Sequence, residues 1–182
     1  MKPAVSTASK GRKPRRTEQV ILFTVGAQRF AIAANDVHEV RSTDSLAGIT
    51  VDLGQTELPK VRTVIHRGKR SYYVVHGGDH FQIPATHPAL VLVLREARVA
   101  ALVDGIDRMA TISHLYALPR AFTGEERQWF RGLTVIEDRV IPVVSPAGFL
   151  SEEDVQRLDE YAAIAAEQHL AVEGNVEGIV AV

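Results

Sequence analysis

The stretch Val20–Val40 returns without a gap 69 residues further on. Leu22–Val40 lies on Val91–Met109, with Phe23 on Leu92, Arg29 on Arg98, Ala31 on Ala100, Asn35 on Asp104 and Val37 on Ile106. The same shift carries Arg62 onto Arg131, Arg70 onto Arg139 and Val74-Val75 onto Val143-Val144. Few of the paired residues are identical, but apolar falls on apolar, turn on turn and capping residue on capping residue. A constant offset of this kind restricts the chain to two related sub-units in one domain.

Each unit reads as strand, turn, strand and short helical turn. The β-branched and aromatic runs Val20–Val25 and Arg29–Ala33 flank Gly26-Ala27-Gln28, which reads as a hairpin loop. Asn35 is a good N-cap and predicts one helical turn over Asp36–Val40. In the second unit Val91–Leu94 is a continuous apolar run, expected to be buried on both faces. Arg95-Glu96-Ala97 turns the chain, Val99–Val103 returns, and Asp104 is expected to cap a short turn through Gly105-Ile106-Asp107.

Between and after the units, Arg41–Pro59 reads as a polar loop with one short strand over Gly48–Leu53. Val61–Ile65 and Ser71–His76 form a second hairpin around His66-Arg67-Gly68-Lys69-Arg70, and Leu133–Ile136 with Arg139–Val144 the last, turning at Glu137-Asp138. Pro142 cannot donate to a ladder, so it marks an edge strand or a position whose N–H faces away from its neighbour. Trp129, the sole tryptophan, is expected in the core. Ser151 caps a helix whose stripe Val155, Leu158, Tyr161, Ala162 and Ala165 is expected to pack on the domain, with Leu150 and Val155 placed as a hydrophobic staple.

The architecture predicted is mostly β: two related SH3-like five-stranded barrels with short helical turns and a C-terminal α-helix. Residues 18–150 form the β domain, 151–171 the amphipathic helix and 172–182 a frayed tail. The net charge of −1 conceals an asymmetry. Lys2, Lys10, Arg12, Lys13, Arg15 and Arg16 meet no acid in the first sixteen residues, and removing those six from 21 bases leaves 15 against 22 acids. Residues 1–17 are therefore expected to be a disordered basic tail, unable to bury enough apolar surface to offset its ordering entropy.

Composition narrows the function. No cysteine is present, so disulfide and thiolate chemistry are excluded, which fits the cytoplasm. No apolar run is long enough to span a bilayer and the first sixteen residues lack a signal-type apolar core, so neither membrane insertion nor secretion is expected. His76-Gly77-Gly78-Asp79-His80 holds two imidazoles and a carboxylate, but i, i+4 histidines share an ion only on a helix, and the glycine pair argues for a polar loop. No metal or cofactor is expected. Ser113-His114 likewise lacks an acid or oxyanion partner, which argues against an enzyme. Six basic charges without interleaved aromatics are a weak case for a nucleic-acid-binding SH3-like protein.

Three stretches carry a resemblance to the CheW-like domains of bacterial chemosensory arrays, over about Glu18 to Leu150. Phe23–Val40 is similar to the family's opening hairpin and its Val-x-Glu-Val/Ile ending. Arg67-Gly68 stands where the family has an Arg-Gly turn, followed by an apolar strand at Tyr72–Val75. Val99–Asp107, with Arg131-Gly132-Leu133 and Arg139–Val144, is similar to the second half. The chain departs from the family at Arg62 and Ile65, where a Gly and an Asn precede the Arg-Gly turn, and at His76-Gly77 and Ser145-Pro146, where Asp-Leu pairs follow the Val-Val strands.

The resemblance implies a non-catalytic chemosensory adaptor with two partners, a chemoreceptor cytoplasmic tip and the regulatory domain of a CheA-type histidine kinase. The departures leave open a scaffold of another signalling or motility complex. The resemblance also implies the partner-binding residues Val37, Glu39, Arg67 and Gly68, which match family motifs. Ile141 and Val143 are expected to face a kinase domain along the edge that Pro142 marks.

Overall fold

The computed structural model describes residues 17–176. Eleven strands are distributed between two sheets. In chain order they are β1 Glu18–Val25, β2 Gln28–Ala33, β3 Val37–Ser42, β4 Thr50–Asp52, β5 Val61–Arg67, β6 Arg70–His76, β7 Leu90–Leu94, β8 Val99–Val103, β9 Gly105–Ile112, β10 Phe130–Ile136 and β11 Arg139–Val144. The first sheet runs β3-β7-β8-β6-β5-β4 and the second β10-β11-β2-β1-β9. Short helices lie at α1 Gly77–Phe81 and α2 Glu126–Trp129, and α3 spans Glu152–Val176. The first sixteen and last six residues, read from sequence as a disordered basic tail and part of a frayed end, lie outside the described residues. Among the described residues no helix is long and apolar enough to cross a membrane.

The 69-residue offset holds for every strand except β4, which has no counterpart strand at 119–121. β10 begins and ends 69 residues after β5, and β5 pairs with β6 as β10 pairs with β11, down to the bulge between Val61 and Thr63 that reappears between Phe130 and Gly132. Val74 pairs in parallel with Ala100; adding 69 to Val74 and subtracting it from Ala100 gives Val143 and Ala31, which also pair in parallel. The halves are interlocked rather than side by side. β3, from the first half, leaves its hairpin to pair with β7, while β9, from the second, returns to pair with β1. Each sheet therefore combines the opening hairpin of one half with the later strands of the other.

Burial follows the period of two residues along the strands. Leu22, Ala31, Ile141 and Val143 fill the interior of the second barrel, and Val91, Val93, Ala100 and Tyr72 that of the first. The alternate residues, among them Phe23, Phe30, Leu92, Leu94 and Tyr73, turn into a third, shared core between the sheets. β7 and β8 are buried on both faces because one face lines a barrel and the other this shared core. Each large side chain so buried contributes about 1.5–3 kcal/mol.

Four local readings are corrected. The helical turn after β2 is confined to Ala34–Asp36, and Val37–Ser42 is a strand, because Val37 and Val40 pair with Leu94 and Leu92 of β7. Asn35 does not cap that turn: Ala33 stands at the N-cap position and makes no side-chain bond. Asp104 opens no helical turn either, since β9 begins at Gly105; its carboxylate accepts the Gly26 N–H at 2.8 Å and so joins the two hairpin ends. The His76–His80 stretch is not a loop but α1, and its glycines serve close packing: a Cβ on Gly77 would stand 2.6 Å from the Leu102 carbonyl oxygen.

β11 lies between β10 and β2, so Pro142 does not mark a sheet edge. α3 is longer than its sequence-derived extent, running 25 residues to Val176. Ser151 and Asp154 close a reciprocal box at its start, each N–H donating to the other side chain at 3.0 Å. Leu158 and Ala162 bury in the shared core, with Val155 and Tyr161 packed beside them.

Candidate interaction surface

The first sheet curls until its outer strand β3 meets β5, although β7, β8 and β6 lie between them in the sheet order. The contact is an ion pair from Arg67, the last residue of β5, to Glu39 on β3. Arg41 approaches the same Glu39 oxygen to 3.8 Å. Glu39 and Arg67 both remain partly exposed, so the pair is a charged rim to the barrel rather than a core bridge. Gly68 follows in the two-residue turn between Arg67 and Arg70, with φ +59°. Nothing lies within 4 Å of where its Cβ would stand, so the backbone conformation and not space calls for glycine.

Of the residues singled out in the sequence, Glu39, Arg67 and Gly68 come together on this rim. Val37 begins the same strand but is buried at 7% exposure. It positions β3 against β7 rather than offering a side chain to a partner. Ile141 and Val143 are 4% and 0% exposed, inside the second barrel with Val20 and Leu22. The expectation that they face a partner is corrected: with β11 interior to its sheet, the side chains flanking Pro142 point into the barrel. Val140 and Val135, paired across β10 and β11, are the exposed apolar residues of that hairpin.

The second barrel repeats the rim with its charges exchanged. Glu39 corresponds to Arg108 and Gly68 to Glu137, and these two form a salt bridge at 2.6 Å. The Arg108 guanidinium holds the Glu137 carboxyl below its ordinary range. The turn there is Glu137-Asp138, both with positive φ, as a type I′ hairpin requires. One hairpin tip is thus basic, through Arg67, Lys69 and Arg70, and its counterpart carries two carboxylates.

Two further features escaped the sequence reading. Arg98 makes a bidentate pair with Asp159 of α3 at 2.6 and 2.7 Å, and the same carboxylate accepts the buried Tyr73 hydroxyl. Burial, reinforced by Asp159, pushes the Tyr73 phenol upward, while Arg98 holds Asp159 below the carboxylate range. This cluster fastens α3 to the first barrel. The second is His80, 2% exposed, packed among Phe81, Trp129 and Phe149 with neither ring nitrogen hydrogen-bonded among the described residues. Burial, with Lys60 nearby, pushes its pKa down to about 3. No group of three metal-ligating side chains is found among the described residues.

Residues 19–154 match the family model described as CheW-like domain. No curated protein matches the chain. Among solved structures, the scaffolding protein TtCheW from Thermoanaerobacter tengcongensis is similar in fold, at 14% identity and a TM-score of 0.58, over 71% of this chain and 90% of that one. With three quarters of its length matched by the family model and the paired, interlocked barrels described above, the chain belongs to the CheW-like domain family.

Proposed function

We propose that this chain is a non-catalytic chemosensory adaptor of the cytoplasm, coupling a chemoreceptor tip to the regulatory domain of a CheA-type histidine kinase in two-component signalling. The observation that carries the reading is the convergence of Glu39, Arg67 and Gly68. These family-matching residues, 28 and 29 positions apart, meet on one partly exposed rim of a member of the family. A rim of this kind suits recognition of a polar helix or strand, because a guanidinium pairs bidentately with carboxylates and a glycine turn lets a partner backbone approach. Paired barrels with a common core give the rim a stiff base.

Calorimetric titration of the purified protein against the regulatory domain of each CheA-type kinase of the same organism, and against receptor-tip fragments, tests the proposal. Saturable binding to one of each is expected, weakened by Arg67→Ala for the partner that uses the rim. Absence of binding to every kinase and receptor would overturn it.

A second reading, a scaffold for another signalling or motility complex, is favoured by one observation. The two Asp-Leu positions of the family are committed here to internal structure. His76-Gly77 opens α1, and the Ser145 N–H donates to the Trp129 carbonyl at 2.8 Å ahead of Pro146. A partner that reads those positions would find different chemistry.

A further inference from the structure

A groove of about 720 Å³ runs between the first turns of α3 and the β7–β8 loop. Val99, Leu150 and Val155 give it an apolar floor, and Asp36, Glu96 and Glu152 line its margin. None of these three acids takes part in a salt bridge among the described residues, whereas Asp159 at the far end is engaged by Arg98. Burial raises the Asp36 carboxyl above its ordinary range, with Glu18 and Glu96 adding repulsion against the opposing pull of Arg131. The lining thus sets four carboxylates against one guanidinium, that of Arg98.

The pseudo-symmetry indicates that a segment belongs there. The β7–β8 loop is the counterpart of the Gly26-Ala27 turn, and in the first half the chain leaving α1 folds back over that turn. Ile83 comes so close that a Cβ on Gly26 would stand 2.7 Å from its methyl group. In the second half the residues at the same offset begin α3 and lead away, so no counterpart covers the slot among the described residues.

We propose that the basic segment Lys10–Arg16 of this same chain occupies the groove, its lysines and arginines paired with Asp36, Glu96 and Glu152. Charge complementarity and chain geometry select this occupant. Lys10, Arg12, Lys13, Arg15 and Arg16 lie in seven residues without an acid. The described chain emerges beside the groove, since Glu18 pairs with Arg131 at 2.9 Å and both act on Asp36. Arg16 is two residues from Glu18, and an extended chain covers roughly 3.3–3.6 Å per residue, so Lys10 reaches across about 28 Å. The segment is a built-in competitor for any basic partner peptide of the groove, and the contact weakens as salt screens it.

Carbodiimide cross-linking of the full-length protein, as an equal mixture of ¹⁴N- and ¹⁵N-labelled copies, tests this at low and high salt. Expected are links from Lys10 or Lys13 to Asp36, Glu96 or Glu152 within copies of one label, reduced several-fold at high salt and in the Glu96→Gln/Glu152→Gln variant. Both glutamates are exposed, so that variant should melt as the parent does. Links between differently labelled copies, links spread over other surface acids, or no links from either lysine would overturn the proposal. The kinase and receptor titrations do not enter this test.

Discussion

His80 stacks on Phe149 with ring centroids 4.6 Å apart, and the two positions are separated by the 69 residues that relate the halves of the molecule. Equivalent positions of the duplicated unit thus meet face to face where α1 and the Pro146–Gly148 turn approach one another. A site that joins its own counterpart lies on the axis of the pseudo-symmetry, and here an imidazole faces a phenyl ring. Trp129, 4.9 Å from His80, is the counterpart of Lys60, whose positive charge also acts on His80. Duplication set the framework of this junction and divergence made it lopsided: aromatic on one side, titratable on the other.

The pH dependence of stability follows from His80. Its folded pKa is pushed down to about 3, against an ordinary 6.5. Below pH 6.5 the unfolded chain takes up a proton that the folded His80 refuses, so the His80 contribution to stability is lost as pH falls from 6.5 towards 3 and is constant above 6.5. The loss approaches about 1.4 kcal/mol per pH unit within that window. Urea unfolding of the parent and of His80→Phe at pH 7, 6 and 5 checks this, with the parent's steeper decline expected to flatten in the variant. Parallel pH profiles would show that the imidazole titrates freely.

The fastening of α3 makes a separate prediction. Asp159→Ala strands a buried hydroxyl on Tyr73 and a guanidinium on Arg98, a loss of about 1–3 kcal/mol. Tyr73→Phe removes one hydrogen bond but leaves the Arg98 pair, so its cost is smaller, about 1 kcal/mol. Amide exchange distinguishes local release from global loosening: in Asp159→Ala the first turns of α3 should exchange faster, with β7 and β8 unchanged.

Legibility in the sequence depended on whether a residue's local preference and its tertiary surroundings agree. The strands β5, β6, β10 and β11 alternate or run apolar as strands do, and their common offset is visible in the residues alone. β3 was misread because Asn35 and Asp36 carry capping chemistry and Val37 and Val40 stand at helical spacing; pairing with β7 outweighs both. Ile141 and Val143 were assigned to a surface because Pro142 suggests an edge, and only the placement of β11 beside β2 shows that they point inward. Glu39, Arg67 and Gly68 could be singled out by family resemblance, but the curl of the sheet that joins them depends on contacts between strands far apart in sequence. Arg98 and Asp159 have no local signature at all.

Gly77 shows the same conflict in a form that can be measured. Helix propensity argues against glycine in α1, yet its missing side chain lets the helix lie against the Leu102 carbonyl. Gly77→Ala gains about 1 kcal/mol in propensity and meets a backbone oxygen that cannot swing away. Overpacking of this kind costs about 1–3 kcal/mol, so net destabilisation is expected. Chemical denaturation decides the sign, and a stabilised variant would mean that α1 can shift from β8 without penalty.

The rim pair separates a structural from a recognition role. Because Glu39 and Arg67 are partly exposed, their coupling should be worth about 0.2–1 kcal/mol and should shrink with salt. A charge swap is a poor probe here, since an arginine at position 39 would stand beside Arg41. An alanine double-mutant cycle avoids that clash. If the pair only closes the barrel, the single variants and the double variant lose stability by nearly the same small amount and partner binding follows stability. If Arg67 meets a partner carboxylate, Arg67→Ala weakens binding well beyond its effect on folding, and Glu39→Ala, which frees the guanidinium, weakens it less or strengthens it. Unfolding curves and calorimetric affinities for the three variants distinguish these outcomes, and the recognition role fails if the affinities of all three simply track their stabilities.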